Sequence, residues 1–239
     1  MKPIKTLTLL VLGLLMFASI GWAQSSVVAP KSAIAGSAHD FRSGIAGSTT
    51  TWSTVSYGLC NFCHIAHKLG ASPSGPGYLL WNHTISSTSS YGVYSSDSML
   101  ATPTDLGSNN TPSNLTVSNL CLSCHDGTVA INSYYESVGS AGSATATFMP
   151  ASFVVNDLTK QHPVNFTYPT GAPATTIGLL VPASTSSVDG AGQVPLFNGK
   201  MQCATCHDAH NSASHIFLRT FPTTAATTST GSFCVYCHT

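Results

Sequence analysis

The chain has 239 residues, with only 8 Lys+Arg and 8 Asp+Glu against 10 His and 8 Cys. Formal neutrality at 7% charged residues leaves no basic stripe to meet nucleic acid, and aromatic and aliphatic residues spread along the whole length argue against low-complexity disorder. His and Cys together outnumber the conventional charges, while Ser (34) and Thr (29) fill about a quarter of all positions.

In chain order, Lys2 and Lys5 precede an apolar stretch from Leu7 to Ile20, and Gly21-Trp22-Ala23 supplies small residues for cleavage. This is the pattern of a secretory signal peptide over residues 1–23. The alternative, an uncleaved anchor, calls for a run of about 20 apolar residues. The first Cys is Cys60, so no lipidated N-terminal Cys results. Residues 24–239 then form a single exported domain with six basic and eight acidic side chains and no second apolar span.

His39 follows in Ala-His39-Asp40-Phe. Next come Cys60-Asn-Phe-Cys63-His64 with His67 three residues on, and Leu80-Trp81-Asn82-His83, which puts an aromatic beside a histidine. A Ser/Thr/Gly tract at 84–98 reads as a loop and leads towards Cys121-Leu-Ser-Cys124-His125. A second such tract covers 138–147, and His162 stands in Gln-His162-Pro163. Phe197-Asn198-Gly199-Lys200 is a hairpin signal. Cys203-Ala-Thr-Cys206-His207 follows, with His210 three residues later and His215 among apolar neighbours. A third tract at 222–232 precedes Cys234-Val-Tyr-Cys237-His238. No segment holds a long 3.6-residue apolar period, so short helical turns at the Cys pairs are expected rather than extended helices.

Eight Cys in an exported chain would ordinarily suggest disulfides. Here every Cys belongs to one of four pairs spaced by two residues, and each pair is followed at once by His. Structural zinc and redox dithiols also use Cys-x-x-Cys, but neither needs that His. Four such coincidences have odds on the order of one in 10⁵ to 10⁶, whereas Cys-x-x-Cys-His is the attachment sequence for c-type haem. The eight Cys would form thioethers to four haems, and His64, His125, His207 and His238 would be the proximal iron ligands.

Six histidines remain for the distal side: His39, His67, His83, His162, His210 and His215. His39, His67, His162, His210 and His83 are the distal candidates, and His215 reads better as structural. There are enough imidazoles for every iron to be bis-His, which gives lower potentials than Met/His and closes both axial positions to substrate. His67 and His210 are tethered too near their own proximal histidines to cross that haem plane, so as ligands they would serve other haems. The expected fold is a multihaem cytochrome c: one loop-dominated chain wrapped around four haems, with short helices at the Cys-x-x-Cys-His sites and few short strands or hairpins.

The order His-Asp, CxFCHxxH, LWNH, CLSCHDGTVA, HPV, CATCHDAHN, FLR and a terminal CxxCH resembles the outer-surface tetrahaem c-type cytochromes of metal-reducing bacteria, the extracellular cytochrome nanowire filament family. The likeness runs in blocks from His39 to the C-terminus, and the flanks at Cys121–Ala130, Cys203–Asn211 and Phe217–Arg219 are its more specific parts. The resemblance implies a continuous chain of bis-His haems, fed by upstream periplasmic or outer-membrane cytochromes and discharging to an extracellular acceptor. It also implies a homopolymer in which a His from one subunit ligates a haem in the next, a part that falls on His67. Where the family usually has Pro in its CHxPH blocks, this chain has Ala66 and Ala209, so the turn is less rigidly preset. The expected function is non-enzymatic electron transfer as a filament subunit at the cell surface. The alternatives are a soluble periplasmic or surface shuttle and, against four motifs that all end in His, a multihaem reductase.

Overall fold

The computed structural model describes residues 34–43, 59–65, 81–109, 115–133, 146–170, 178–179, 181–182, 184–189, 194–211, 217–219 and 231–238. The leader 1–23, His67, His215 and most of the 138–147 and 222–232 tracts lie outside them. Helix α1 spans Val117–His125, α2 Cys203–Cys206 and α3 Gly231–Cys234. Strand β1 (Phe166–Thr167) pairs antiparallel with β2 (Lys200–Met201), and short 3-10 turns stand at Phe41–Ser43, Leu106–Asn109 and Ala151–Phe153. Among the described residues no helix is long and apolar enough to cross a membrane.

Helices cover the second and third Cys pairs, α3 ends at Cys234 of the fourth, and the first pair lies in turns, all for a local reason. In the first, third and fourth motifs the His64, His207 and His238 amides donate to the carbonyls of Cys60, Cys203 and Cys234, at 2.8, 3.0 and 2.9 Å. One such turn sets residues i, i+3 and i+4 on a common face, gathering two thiols and an imidazole. The second motif extends this turn into α1, where Thr116 at the N-cap donates its amide to Asn119 Oδ1 at 3.0 Å. The helix stops at Asp126-Gly127. Gly127 has φ +76°, and a Cβ there would come within 3.0 Å of Val154 Cγ2, so the turn favours glycine twice over.

The expected hairpin turn is present. Asn198 and Gly199 have φ +55° and +73°, and Phe197 and Lys200 exchange backbone hydrogen bonds of 2.9 and 3.1 Å, as in a type I′ turn. Past the turn, Lys200–Met201 pair with Phe166–Thr167 rather than extending the hairpin. The 84–98 tract has no regular structure, whereas the 222–232 tract ends in the first residues of α3.

The apolar interior is divided into three small groups. Phe166, Tyr168, Val188, Val194, Leu196 and Met201 cover the two-stranded sheet. Phe41, Phe62 and Ile131 form a second group, and Tyr91, Leu106, Leu122 and Leu158 a third beneath α1. Polar side chains tie the pieces together. Buried Ser118 of α1 donates to Gln202 Oε1 at 2.5 Å and accepts from the Cys203 amide at 2.9 Å, while Gln202 Nε2 donates to Asn165 Oδ1 at 3.1 Å. This network pins α1 against α2, and with it the second Cys pair against the third.

Asp126, next to His125, is a second such anchor. Its carboxylate accepts from Ser86, from Thr88 Oγ1 at 2.9 Å, from Tyr91 Oη at 2.8 Å, and from the Thr128 amide and hydroxyl at 2.8 Å each. Burial pushes its carboxyl pKa up, but these hydrogen bonds outweigh that and hold it below the ordinary value. Asp126→Ala strands several buried donors and is expected to cost about 2–4 kcal/mol, roughly 5–15 °C in Tm. A scanning-calorimetry Tm unchanged by the substitution would remove Asp126 as an anchor. Because the folded pKa is depressed, its contribution is fully present above pH about 4 and is lost as the pH falls through the lowered value.

Candidate metal centres

Each Cys pair has a thiol of an adjacent motif among its electrostatic neighbours. Burial pushes Cys63 up to about 11 and Cys124 well above its ordinary value, and Cys63 adds to the latter as an electrostatic neighbour. The Cys121 thiol donates to the Val117 carbonyl at 3.6 Å, and Cys203 beside it raises Cys121 while Cys121 lowers Cys203. Burial likewise pushes Cys206 up to about 12, with Cys237, Cys203 and Cys234 as neighbours that raise it further. Motif two packs against motif three, and Cys206 and Cys237 of motifs three and four share the sheet group. No described Cys is in a disulfide.

Three of the four Cys-x-x-Cys-His histidines have an imidazole partner from elsewhere in the chain. The ring centres of His125 and His39 are 6.2 Å apart, those of His64 and His210 6.2 Å, and those of His238 and His162 6.3 Å. An imidazole nitrogen holds a transition metal at about 2.0–2.1 Å, and its ring centre lies about 1.1 Å further back, so two rings on opposite sides of one metal sit about 6.2–6.4 Å apart. All three pairs match this separation. Their planes differ: His39 and His125 cross at 71° and His162 and His238 at 74°, whereas His64 and His210 lie at 16°.

The ring nitrogens not needed by a metal are engaged behind. His125 Nδ1 is 3.0 Å from the Phe153 carbonyl, His162 Nδ1 3.0 Å from that of Pro163, and His39 Nδ1 3.4 Å from that of Ala209. His210 Nδ1 faces Asp208 at 3.5 Å, and hydrogen bonding from His210 chiefly holds the Asp208 carboxyl below its ordinary value. An imidazole whose Nδ1–H donates to an oxygen is fixed in the tautomer that keeps its lone pair on Nε2, as metal-binding histidines require. Burial, with His125 as a secondary cause, pushes His39 down to about 4, which keeps it neutral.

Backbone pairing anchors the proximal histidines as well. His64 bridges to Trp81, His207 to Leu218 and His238 to Leu179, and the His125 carbonyl accepts from the Val155 amide at 2.7 Å. Two further groups bear on whether haem fits. The Trp81 ring lies 5.9 Å from that of His64, and its buried Nε1 has no hydrogen-bond partner, a donor left for an acceptor such as a propionate. Among the described residues no three His, Cys, Asp or Glu side chains converge, as a zinc centre built from protein ligands would require. Imidazoles arriving in twos suit a metal whose other four ligands come from a macrocycle.

His83 is engaged differently. It is fully buried, with Nδ1 2.9 Å from the Thr84 carbonyl and Nε2 3.0 Å from that of Ala130, and burial lowers its pKa against those carbonyls. A neutral imidazole carries one N–H, so His83 donates to one of these two carbonyls while its other nitrogen only lies close to the second.

One contributor stands out in the sequence only as part of the resembling flank 217–219, with nothing to mark its role. The Phe217 ring stacks on His39 with centres 4.2 Å apart and planes at 20°. Its φ is +56°, a region bulky aromatics seldom occupy, at a cost of about 1–3 kcal/mol. Comparison with protein-family models finds none that matches the chain, and comparison with curated proteins finds no match either.

Proposed function

We propose that this chain is an exported, non-enzymatic tetrahaem c-type cytochrome that conducts electrons, assembled as a homopolymeric filament at the cell surface. The observation that carries the reading is the set of three imidazole pairs, each joining a Cys-x-x-Cys-His histidine to one from a distant segment at the separation of two axial ligands. Cys60 and Cys63, Cys121 and Cys124, Cys203 and Cys206, and Cys234 and Cys237 would hold the haems through thioethers. His64, His125, His207 and His238 would be the proximal ligands, with His210, His39 and His162 opposite the first, second and fourth. Held by these paired imidazoles, haem would supply one-electron exchange with no position left for substrate.

The chain's own part is to bind, orient and space. The carbonyls of Phe153, Pro163 and Ala209 set imidazole tautomers, Asp208 backs His210, and Trp81 offers a donor beside His64. The order of neighbouring thiols supports a wire-like sequence of centres from the first motif to the fourth. The polymer rests on the family resemblance, with His67 as the ligand that crosses to a neighbouring copy. Sparse side-chain charge also leaves few like charges to separate when copies pack.

Mass spectrometry of the purified protein is expected to find four haem masses on a chain lacking residues 1–23, and electron microscopy to find filaments. A haem-loaded but strictly monomeric particle would make it a soluble shuttle instead. Fewer than four haems would contradict the reading at its base.

A further inference from the structure

We infer that Phe217 is a positioning residue that fixes the rotation of the His39 imidazole, and so the near-perpendicular setting of the His39–His125 pair. The inference rests on the proposed axial role of those two histidines and adds a residue to it. His39 comes from a short described segment, 34–43, and its ring is held from outside that segment by two contacts: the Ala209 carbonyl on Nδ1 and the Phe217 face 4.2 Å away. A single hydrogen bond at 3.4 Å leaves an imidazole free to swing about the axis through its metal-binding nitrogen. A ring stacked on its face at 20° does not.

The backbone shows why Phe217 can take this part. The segment 217–219 is zipped onto the third motif: the Asp208 amide donates to the Phe217 carbonyl at 2.8 Å, the Arg219 amide to Cys206 at 2.8 Å, and Arg219 Nε to Ala204 at 2.9 Å. His207 and Leu218 bridge between those bonds. These contacts hold the chain at φ +56°, where the Phe217 ring meets His39. Strain kept by such over-determination at a ligand is a mark of function rather than of packing alone. The third motif thereby serves three centres: it carries His207, it lends His210 to His64, and through Ala209 and Phe217 it orients His39 for His125.

The test is electron paramagnetic resonance of the oxidised, haem-loaded protein. Crossed imidazole planes leave two iron d orbitals nearly degenerate and give a strongly anisotropic low-spin signal, while parallel planes split them and give a rhombic one. Phe217→Gly removes the ring and suits the positive φ, so the backbone need not move. One strongly anisotropic signal is expected to shift towards the rhombic type, the same signal that His39→Ala abolishes. Phe217→Tyr is expected to restore it. Should Phe217→Gly not accumulate, Phe217→Asn, which also tolerates this φ, carries the same comparison. An unchanged spectrum in a folded, four-haem Phe217→Gly or Phe217→Asn protein would overturn the inference alone. Absence of low-spin bis-His signals from the wild-type protein would overturn the parent reading with it.

Discussion

A chain whose eight cysteines are all replaced by alanine, made beside the wild-type protein, is expected to be largely unfolded. The reason lies in how little apolar interior the polypeptide makes for itself. Among the described residues most buried hydrophobics fall in three separate groups of six, three and four, and the sheet is two residues long in each strand. Fixing a backbone residue costs roughly 1–2 kcal/mol, and a long loop-rich chain must recover that from burial. Four flat apolar cofactors would join these groups into one interior, with Cys63 already against Phe41, Phe62 and Ile131, and Cys206 and Cys237 against the sheet group. Metal-dependent domains behave likewise, folding and binding being one event. Limited proteolysis is the measurement. The cysteine-free chain should be cut at least about 100-fold faster, the effect of losing about 2.7 kcal/mol against opening. Equal resistance would show that the polypeptide holds its fold unaided.

Replacing any one of His39, His162 or His210 by alanine should leave all four haems covalently attached and convert one of them from low-spin to high-spin. These three stand 6.2–6.3 Å from proximal rings. Taking away one imidazole opens a coordination position without touching the thioethers. Absorption spectra should show about a quarter of the haem becoming five-coordinate and binding carbon monoxide when reduced, with three centres unchanged. His83→Ala is the contrasting case. Its ring is fully buried and donates to one of two nearby carbonyls, so its removal is expected to lower Tm without creating a high-spin centre. A carbon-monoxide-binding haem in the His83 variant, or none in the other three, would reverse these roles.

The local half of the site is legible in the residues, and the pairing is not. A Cys-x-x-Cys-His run closes one helical turn wherever it stands, because the bond from the His amide to the first Cys carbonyl involves only neighbours. Asn198-Gly199 predicts its turn for the same reason, both positions tolerating positive φ. Which imidazole faces which is decided by contacts between residues far apart: His39 meets the third motif's Ala209 carbonyl, and His210 reaches the ring of His64. Spacing along the chain says only that His210 is too close to His207 to share its metal. Phe217 is less legible still. A phenylalanine carries no preference for φ +56°, and only its position between the Asp208 and Arg219 backbone bonds accounts for it. The surroundings of His83 are no more legible. Beside Trp81 it reads as a ligand candidate, but whether a histidine next to an aromatic faces a metal or two carbonyls depends on the chain returning at Ala130.

Near-infrared magnetic circular dichroism of the oxidised, untreated protein tests the central claim most directly, because the charge-transfer band of low-spin ferric haem reports its axial ligands. Four haems with the His–His signature alone are predicted. A Met–His band, a high-spin centre, or metal bound without haem would contradict the account.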